Sequence, residues 1–393
     1  MIYDVIVVGA GPAGAVLAYH LASLGLRVRI LEKARLPREK VCGGGLTFKA
    51  RQSLPFDPEA VVEHKSSGGI LAYKGQPLIK VDTARPIAWL VMRNRFDHFL
   101  VKKAVEAGAQ LSDGQTVRSI ETKDGRVTVF TAQENCQGRI LVGADGVHSL
   151  VARSAGLLAG RQTGVAIEAE LAVPDSALER QGAYATFDFG ALPFGYGWIF
   201  PKRNHLSVGA FHARPGKAPQ IKQFFRKFVA SNAVLYGHTQ LSLRGHHIPL
   251  GGGRAPLQRG QVLLVGDAAN LADAWLGEGL YYAIQSANIA ANVIADAFKM
   301  GSLRLDAYDT RIGAEILPQL IYARIFAWWV YRFPRLGVYL THRSEYMQDV
   351  VFGAMRGDHT FREMISRLLF GLPRILLQAL ARHAAPPTSR YQP

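Results

Sequence analysis

Gly9, Gly11 and Gly14 stand at G-x-G-x-x-G spacing, directly after an apolar run and ahead of a segment with helical periodicity. In such a turn the first glycine permits the bend and the second lets the backbone approach a diphosphate. The third lets helix and strand pack closely. Pro12 and Ala13 open the helix, whose free N–H groups and dipole favour negative charge at that end. Glu32 lies eighteen residues beyond Gly14. A carboxylate there can accept hydrogen bonds from both hydroxyls of a ribose, and Lys33 joins it in the expected site. The chemistry of this set is dinucleotide binding.

Two further segments narrow the nucleotide. Gly143-Ala144-Asp145-Gly146 follows an apolar strand, and Val265-Gly266-Asp267-Ala268-Ala269-Asn270 follows another. Each alone reads equally well as an ordinary strand-to-loop turn. Together and in this order they suit FAD, with Asp145 and Gly146 in the site and the Asp267 carboxylate on a ribityl hydroxyl. Gly277, Glu278, Gly279 and Leu280 then open a long helix. The dipole at its N-terminus can stabilise negative charge on the N1–C2=O edge of a reduced flavin.

Other residues are placed for substrate chemistry. Tyr196, Trp198 and Phe200 recur at every second position, so on a strand they share one face. With Phe194, and with Lys202 at the end, they are expected to line a tunnel for a long apolar chain. The alternative is that these aromatics are plain sheet core. Gly195 and Gly197 leave the opposite face bare, which suits close approach of another group. Cys42 precedes Gly43, Gly44 and Gly45 in a flexible turn whose backbone can lie against a flavin. Its thiol reads as a proton donor, a gate, or a small apolar filler. Cys42, Tyr196 and Trp198 form the candidate catalytic set.

The elements that must position these residues follow from periodicity. Asp4–Val8 and Arg27–Leu31 read as buried parallel strands around the helix Pro12–Leu24. Residues 57–89 read as short strands and turns, and Arg93–Gly108 as a helix. Val117–Ile120 and Arg126–Thr131 read as a meander, and Arg139–Val142 as a further strand. Gly164–Pro249 reads as an antiparallel sheet with a helix near Pro219–Ala233. Val262–Val265 restores the parallel pattern before the helix Gly277–Phe298. From Leu305 the chain reads as helical, aromatic and basic. The expected fold is an α/β Rossmann-like FAD-binding domain, discontinuous over residues 1–52, 92–158 and 258–304. An antiparallel-sheet substrate domain is inserted over 53–91 and 159–257, and a helical C-terminal region covers 305–393.

Composition sets the class. The chain has 393 residues, a net charge of +16 and two cysteines, Cys42 and Cys136. Two distant cysteines make no disulfide framework, and the scattered histidines offer no metal-ligand spacing, so no metal is expected. The positive charge suits phosphate-bearing molecules or an anionic membrane surface. Nothing resembles a nucleic-acid module. No signal peptide and no run long enough to span a bilayer are evident, since Arg324, Arg332, Pro334 and Arg335 interrupt Ile316–Leu340. The segments around Trp328-Trp329 and Leu368–Leu377 mix bulky apolar residues with arginine. They suit either an interfacial position or the capping of a domain. A cytoplasmic protein, peripheral on the inner face of a membrane, is the expectation.

The glycine turn, Asp145 and Asp267 together resemble the FAD enzymes of the para-hydroxybenzoate hydroxylase type over roughly the first 300 residues. That resemblance places Arg93 on the FAD phosphate side and Val117 beside the adenine. No second G-x-G-x-x-G occurs, so electrons are expected from transient NADPH or another donor. Pro37–Gly45, as PxxKxCGGG, and Tyr196–Lys202, as YxWxFPK, resemble the signatures of geranylgeranyl reductases. The resemblance implies reduction of isoprenoid double bonds in a prenyl lipid, prenyl diphosphate, quinone or chlorophyll precursor. A flavin monooxygenase or halogenase of the same superfamily is the competing reading, and a non-catalytic prenyl-lipid binder is a third.

Overall fold

Strand Ile2–Val8 is almost wholly buried because a strand flanks it on each side. It pairs in parallel with Asn135–Gly143 on one flank and with Val28–Glu32 on the other. Such two-sided burial explains why its sequence is continuously apolar. The computed structural model, which describes residues 1–157, 162–214 and 218–384, builds an eight-stranded sheet on this core. Its order is Gln258–Arg259, Val262–Leu264, Asn135–Gly143, Ile2–Val8, Val28–Glu32, Gln110–Asp113. The hairpin Ser119–Lys123 and Arg126–Phe130 extends from Asn135–Gly143. Helices Pro12–Ser23, Arg93–Glu106 and Leu280–Lys299 pack together beside this sheet, which makes it Rossmann-like.

A second, seven-stranded sheet runs Thr239–Leu250, Gln162–Ala172, Leu206–His212, Gly195–Pro201, Tyr184–Phe189, Gly68–Tyr73, Gln76–Asp82. All its pairs are antiparallel except Tyr184–Phe189 with Gly68–Tyr73. Every pair formed within residues 164–249 is antiparallel, as expected. Two strands from the earlier stretch join its edge, and one is parallel because it arrives by a long connection. Gly45–Thr47, Ala88–Val91 and Val62–Ser66 form a small third sheet.

Several boundaries also move. Val117 lies ahead of its strand, which runs Ser119–Lys123. The long helix starts at Leu280, not at Gly277. Gly277 has φ +68°, and the Asp273 carboxylate accepts the N–H groups of Trp275, Leu276 and Glu278, so 273–278 folds as a loop. The expected domain border at residues 158 and 159 lies outside the described residues, as do residues 385–393.

Among the described residues after Leu305 six helices follow: Ala307–Glu315, Leu317–Arg332, Pro334–Arg343, Glu345–Arg356, Phe361–Phe370 and Leu372–Ala384. Gly357, at φ +79°, ends one of them, and Thr360 and Glu363 start the next with a reciprocal capping box. Among the described residues no single helix is long and apolar enough to cross a membrane. Phe361–Phe370 with Leu372–Ala381 passes only as a pair bent by 61°. The hydrophobic core divides accordingly. One cluster surrounds the parallel sheet, one lies between the second sheet and the C-terminal helices, and one lies under helix Ala218–Ser231.

Candidate active site

The glycine turn closes on two neighbours. Gly9 has φ +104°, and a Cβ there would stand 2.3 Å from the Ala144 carbonyl oxygen. A Cβ on Gly14 would stand 2.0 Å from the Gly9 oxygen. Neither position tolerates a side chain, so the strand end, the helix start and the 143–146 turn lock together. Around Gly11, by contrast, only Arg38 comes near, at 3.6 Å. Helix Pro12–Ser23 has no side-chain cap on its first turn. An uncapped helix start beside an open glycine leaves free N–H groups of the kind that suit a diphosphate.

Glu32 is buried at the end of its strand. Its carboxylate accepts Ala10 N–H at 2.8 Å and Ala34 N–H at 3.1 Å, with Arg38 at 3.5 Å. Arg38 also reaches Asp97, and Asp97 holds Arg93 through two bonds of 2.7 and 2.9 Å. Burial opposes the Arg93 charge, but the Asp97 carboxylate outweighs it and keeps the guanidinium protonated. Glu32, Arg38, Asp97 and Arg93 thus form one polar chain, and Arg93 lines the same cleft as Cys42. Lys33 is exposed just past Glu32, and Val117 is half-buried against the parallel-sheet core.

Asp145 behaves differently from the expectation. Its carboxylate accepts Ser149 Oγ at 2.6 Å and the N–H groups of Leu150 and Val151, so it caps the short helix Leu150–Ser154. Those oxygens are engaged as a helix cap, and Gly146 beside them, at φ +81°, has open space around it. Asp267 sits in a 3₁₀ turn, half-buried, and its carboxylate has no hydrogen-bond partner among the described residues. A Cβ on Gly279 would stand 3.4 Å from Asp267 Oδ1, and Leu280 is buried as the helix begins. An unpartnered carboxylate beside a second uncapped helix start fits a ribityl hydroxyl and the flavin edge. The residues present therefore fit FAD.

The second sheet supplies the wall. Cross-strand partners share a face, and two rows run across it. One is Glu168, Gly209, Trp198, Phe187, Leu71, and the next is Ala166, Phe211, Tyr196, Phe189, Tyr73. The Tyr196 ring stands 6.0 Å from Trp198 and 5.7 Å from Phe189, and Phe200 stands 6.1 Å from Trp198. Phe194, at φ +55° just before the strand, is half-buried against the same cluster. Tyr331 and Phe352 of the C-terminal helices close it from the other side. Gly209 is the residue that makes room, since a Cβ there would lie 2.1 Å from the Trp198 ring.

Gly195 and Gly197 do not leave a bare face. Cβ atoms there would meet Leu192 at 2.8 Å and Phe228 at 2.9 Å, so ordinary core packing fills that side. The close approach occurs instead at Gly43, where a Cβ would be 3.0 Å from both Phe200 and Trp198 Nε1. The Cys42 turn thus lies on the aromatic wall. Lys202 is also corrected. It is buried, and its Nζ donates to the carbonyls of Gly43 at 2.8 Å and Val91 at 2.9 Å, so it holds the turn and does not line an apolar tunnel.

Tyr196 donates its hydroxyl to the Leu276 carbonyl at 2.7 Å, and burial pushes its pKa well above the usual range. It is a poor acid, and its ring is what it offers. Trp198 Nε1 is buried without a partner. Cys42 Sγ accepts Gly44 N–H at 3.4 Å. Glu168, absent from the sequence expectation, accepts Cys42 N–H at 2.7 Å and Ser207 Oγ at 2.9 Å. The signal for it was slight: Glu168 and Glu170 are two acids two positions apart in an otherwise apolar strand.

Comparison with known proteins accords with this geometry. The family model described as an FAD binding domain matches residues 2–315. An uncharacterized protein of Methanosarcina barkeri is 34% identical over 80% of this chain and 80% of its own. A digeranylgeranylglycerophospholipid reductase of Methanopyrus kandleri is 29% identical over 76% of this chain and 82% of its own. The structure of a geranylgeranyl bacteriochlorophyll reductase-like protein from Thermoplasma acidophilum superposes with TM-score 0.76 at 21% identity, over 97% of this chain and 99% of that one. A flavin-dependent brominase structure superposes with TM-score 0.73 at 21% identity, over 93% of this chain and 98% of that one, and shares the fold. The chain belongs to the FAD-binding domain family, as an FAD-dependent oxidoreductase of the geranylgeranyl reductase-like kind.

Proposed function

We propose that this enzyme saturates isoprenoid C=C bonds in a geranylgeranyl-type chain carried by a lipid, with NADPH or another donor supplying electrons. The observation that carries the reading is the contact of the Cys42 turn with Trp198 and Phe200, where a wall begins that continues through Phe187, Tyr196, Phe189 and Phe211. Such a wall suits a long apolar chain laid beside the flavin. Reduced FAD supplies hydride when bound. Gly9, Gly11, Pro12, Ala13, Gly14 and Glu32 hold the nucleotide end in this reading, and Asp267, Gly279 and Leu280 the flavin end. An isolated alkene has no carbonyl to polarise, so one carbon must be protonated as the other gains positive character. The Trp198 and Tyr196 ring faces can stabilise that charge in a dry pocket. Tyr196 is held by Leu276, which leaves Cys42 and ordered water as proton sources.

The same reading divides the chain into a discontinuous FAD domain, a substrate domain and a C-terminal cover, and sets the protein on an anionic membrane surface. Trp328, Trp329, Phe333 and Leu336 are exposed on one helix pair, and Phe370, Leu377 and Leu380 on another. The arginines Arg332, Arg335, Arg367 and Arg374 accompany them, as interfacial helices require. Mass spectrometry of geranylgeranyl lipids after incubation with reduced holoenzyme tests the function. The expected product has gained hydrogen and no oxygen. A product carrying oxygen or halogen would support the hydroxylase or halogenase reading instead.

A further inference from the structure

Two buried side chains of opposite charge converge on one short turn without bonding each other. Glu168 accepts the Cys42 N–H at 2.7 Å, and Lys202 donates to the Gly43 carbonyl at 2.8 Å. Glu168 is 7% exposed and Lys202 3%, so each charge has left water. Burying an ionised group is costly unless it is well bonded, and both are bonded to backbone here. Ser207 Oγ fixes the other Glu168 oxygen, and Val91 takes a second Lys202 proton. A glycine turn that served only to connect two strands would need no such charges.

We propose that Glu168 is a positioning residue which, with Lys202, clamps the Cys42–Gly43 unit and so sets where the Cys42 thiol and the turn stand against the flavin. The proposal rests on the reading that this turn lies beside FAD. It does not depend on which substrate is reduced. Geometry supports a direct line. The N–H that Glu168 holds belongs to Cys42 itself, and Gly43, the next residue, rests on Trp198 and Phe200.

The clamp is sensitive to protonation. Burial and the neighbouring Glu170 push the Glu168 pKa up to about 7, while Ser207, the Cys42 N–H and Lys202 oppose the rise. The charged and titratable groups around it come from every adjoining element. Glu170 shares its strand and pairs with His205 at 2.9 Å, and Lys202 directly follows strand Gly195–Pro201, beyond the intervening strand Leu206–His212. Arg244, Arg93, Lys40 and Glu39 line the cleft beside Glu168 and Cys42. Glu63 faces Lys202. When Glu168 takes up a proton it loses acceptor strength toward Cys42 N–H, and the turn relaxes.

The test uses FAD-loaded protein and the visible spectrum of its oxidised flavin from about pH 5 to about pH 9, with no isoprenoid present. The expected result is a spectral transition with a midpoint near neutral pH in the wild type, absent in Glu168→Gln. Glu170→Gln should move the midpoint down, by removing the like charge. Ser207→Ala should move it up, by removing a bond to the carboxylate. Opposite shifts from two mild substitutions cannot come from general loosening of the fold. A wild-type spectrum without a transition, or an unchanged midpoint in all three variants, overturns the proposal. Should Glu168→Gln not fold, the paired shifts of the other two decide alone. Failure to reduce any isoprenoid leaves this result untouched, so the two readings fail separately.

Discussion

Gly209 offers a sharp test of whether the Trp198 wall governs turnover. In the row across the second sheet it stands between Glu168 and Trp198. In Gly209→Ala the new Cβ would lie 2.1 Å from Trp198 Cζ2 and 2.4 Å from Cη2. Carbon atoms rest at about 3.5–4 Å, so the indole must move by more than about 1 Å. Overpacking of this kind costs about 1–3 kcal/mol. Alanine in a strand recovers about 0.5–1 kcal/mol relative to glycine, leaving a net loss of about 1–2 kcal/mol. Unfolding entropy of about 2.1 cal/mol/K per residue turns that into a fall in Tm of only ~1–3 °C for a chain of 393 residues. The glycine turn proposed to hold the nucleotide lies on the other sheet, so FAD content per protein should not change. A misplacement of about 1 Å at a reacting centre costs on the order of 10²-fold, so turnover of a geranylgeranyl substrate should fall by about 10–100-fold. Thermal melting, flavin absorbance and product analysis read the three quantities. Wild-type turnover in folded, FAD-loaded Gly209→Ala would refute the role given to Trp198, and so would loss of FAD with an intact fold.

Other consequences follow from single residues. Asp267→Ala should weaken FAD binding by about 10–100-fold, the worth of about 1.5–3 kcal/mol for a bond to a charged group, as read by fluorescence titration of apoprotein. Burial pushes the Asp188 pKa up from 3.8 to about 6. A raised acid pKa means the fold is disfavoured as pH rises from the unfolded value through the folded one. Asp188→Asn should therefore gain about 3 kcal/mol on the wild type between about pH 4 and about pH 7 in chemical denaturation. Phe370 is 88% exposed and Leu377 68%. Replacing both with serine should leave Tm unchanged and cut sedimentation with anionic vesicles by at least about tenfold, since each inserted side chain contributes about 1.5–3 kcal/mol.

What the sequence made legible was local. Gly9–Gly14, the flanking strands and the helix Pro12–Ser23 carry their signal in adjacent residues, and period two in Tyr196–Phe200 placed three aromatics on one face. What it hid depended on partners distant in the chain. Gly197 looked free because Phe228 approaches it from helix Ala218–Ser231. Lys202 looked like the end of a tunnel because its partners, Gly43 and Val91, lie more than a hundred residues upstream. Asp145 is the exception: the partners that engage its oxygens, Ser149, Leu150 and Val151, lie within six residues. Glu168 was invisible because an acid in an apolar strand shows no purpose until the Cys42 turn folds over it. The parallel edge of the second sheet needed a connection of more than a hundred residues, beyond any local period.

The central claim is tested most directly by oxidation of the reduced holoenzyme under strict exclusion of oxygen. A geranylgeranyl lipid added to the bleached enzyme should restore the yellow flavin band, one flavin for each double bond that gains two hydrogens. A flavin that stays bleached with the lipid and recovers only when oxygen is admitted, with oxygen appearing in the product, would contradict the account.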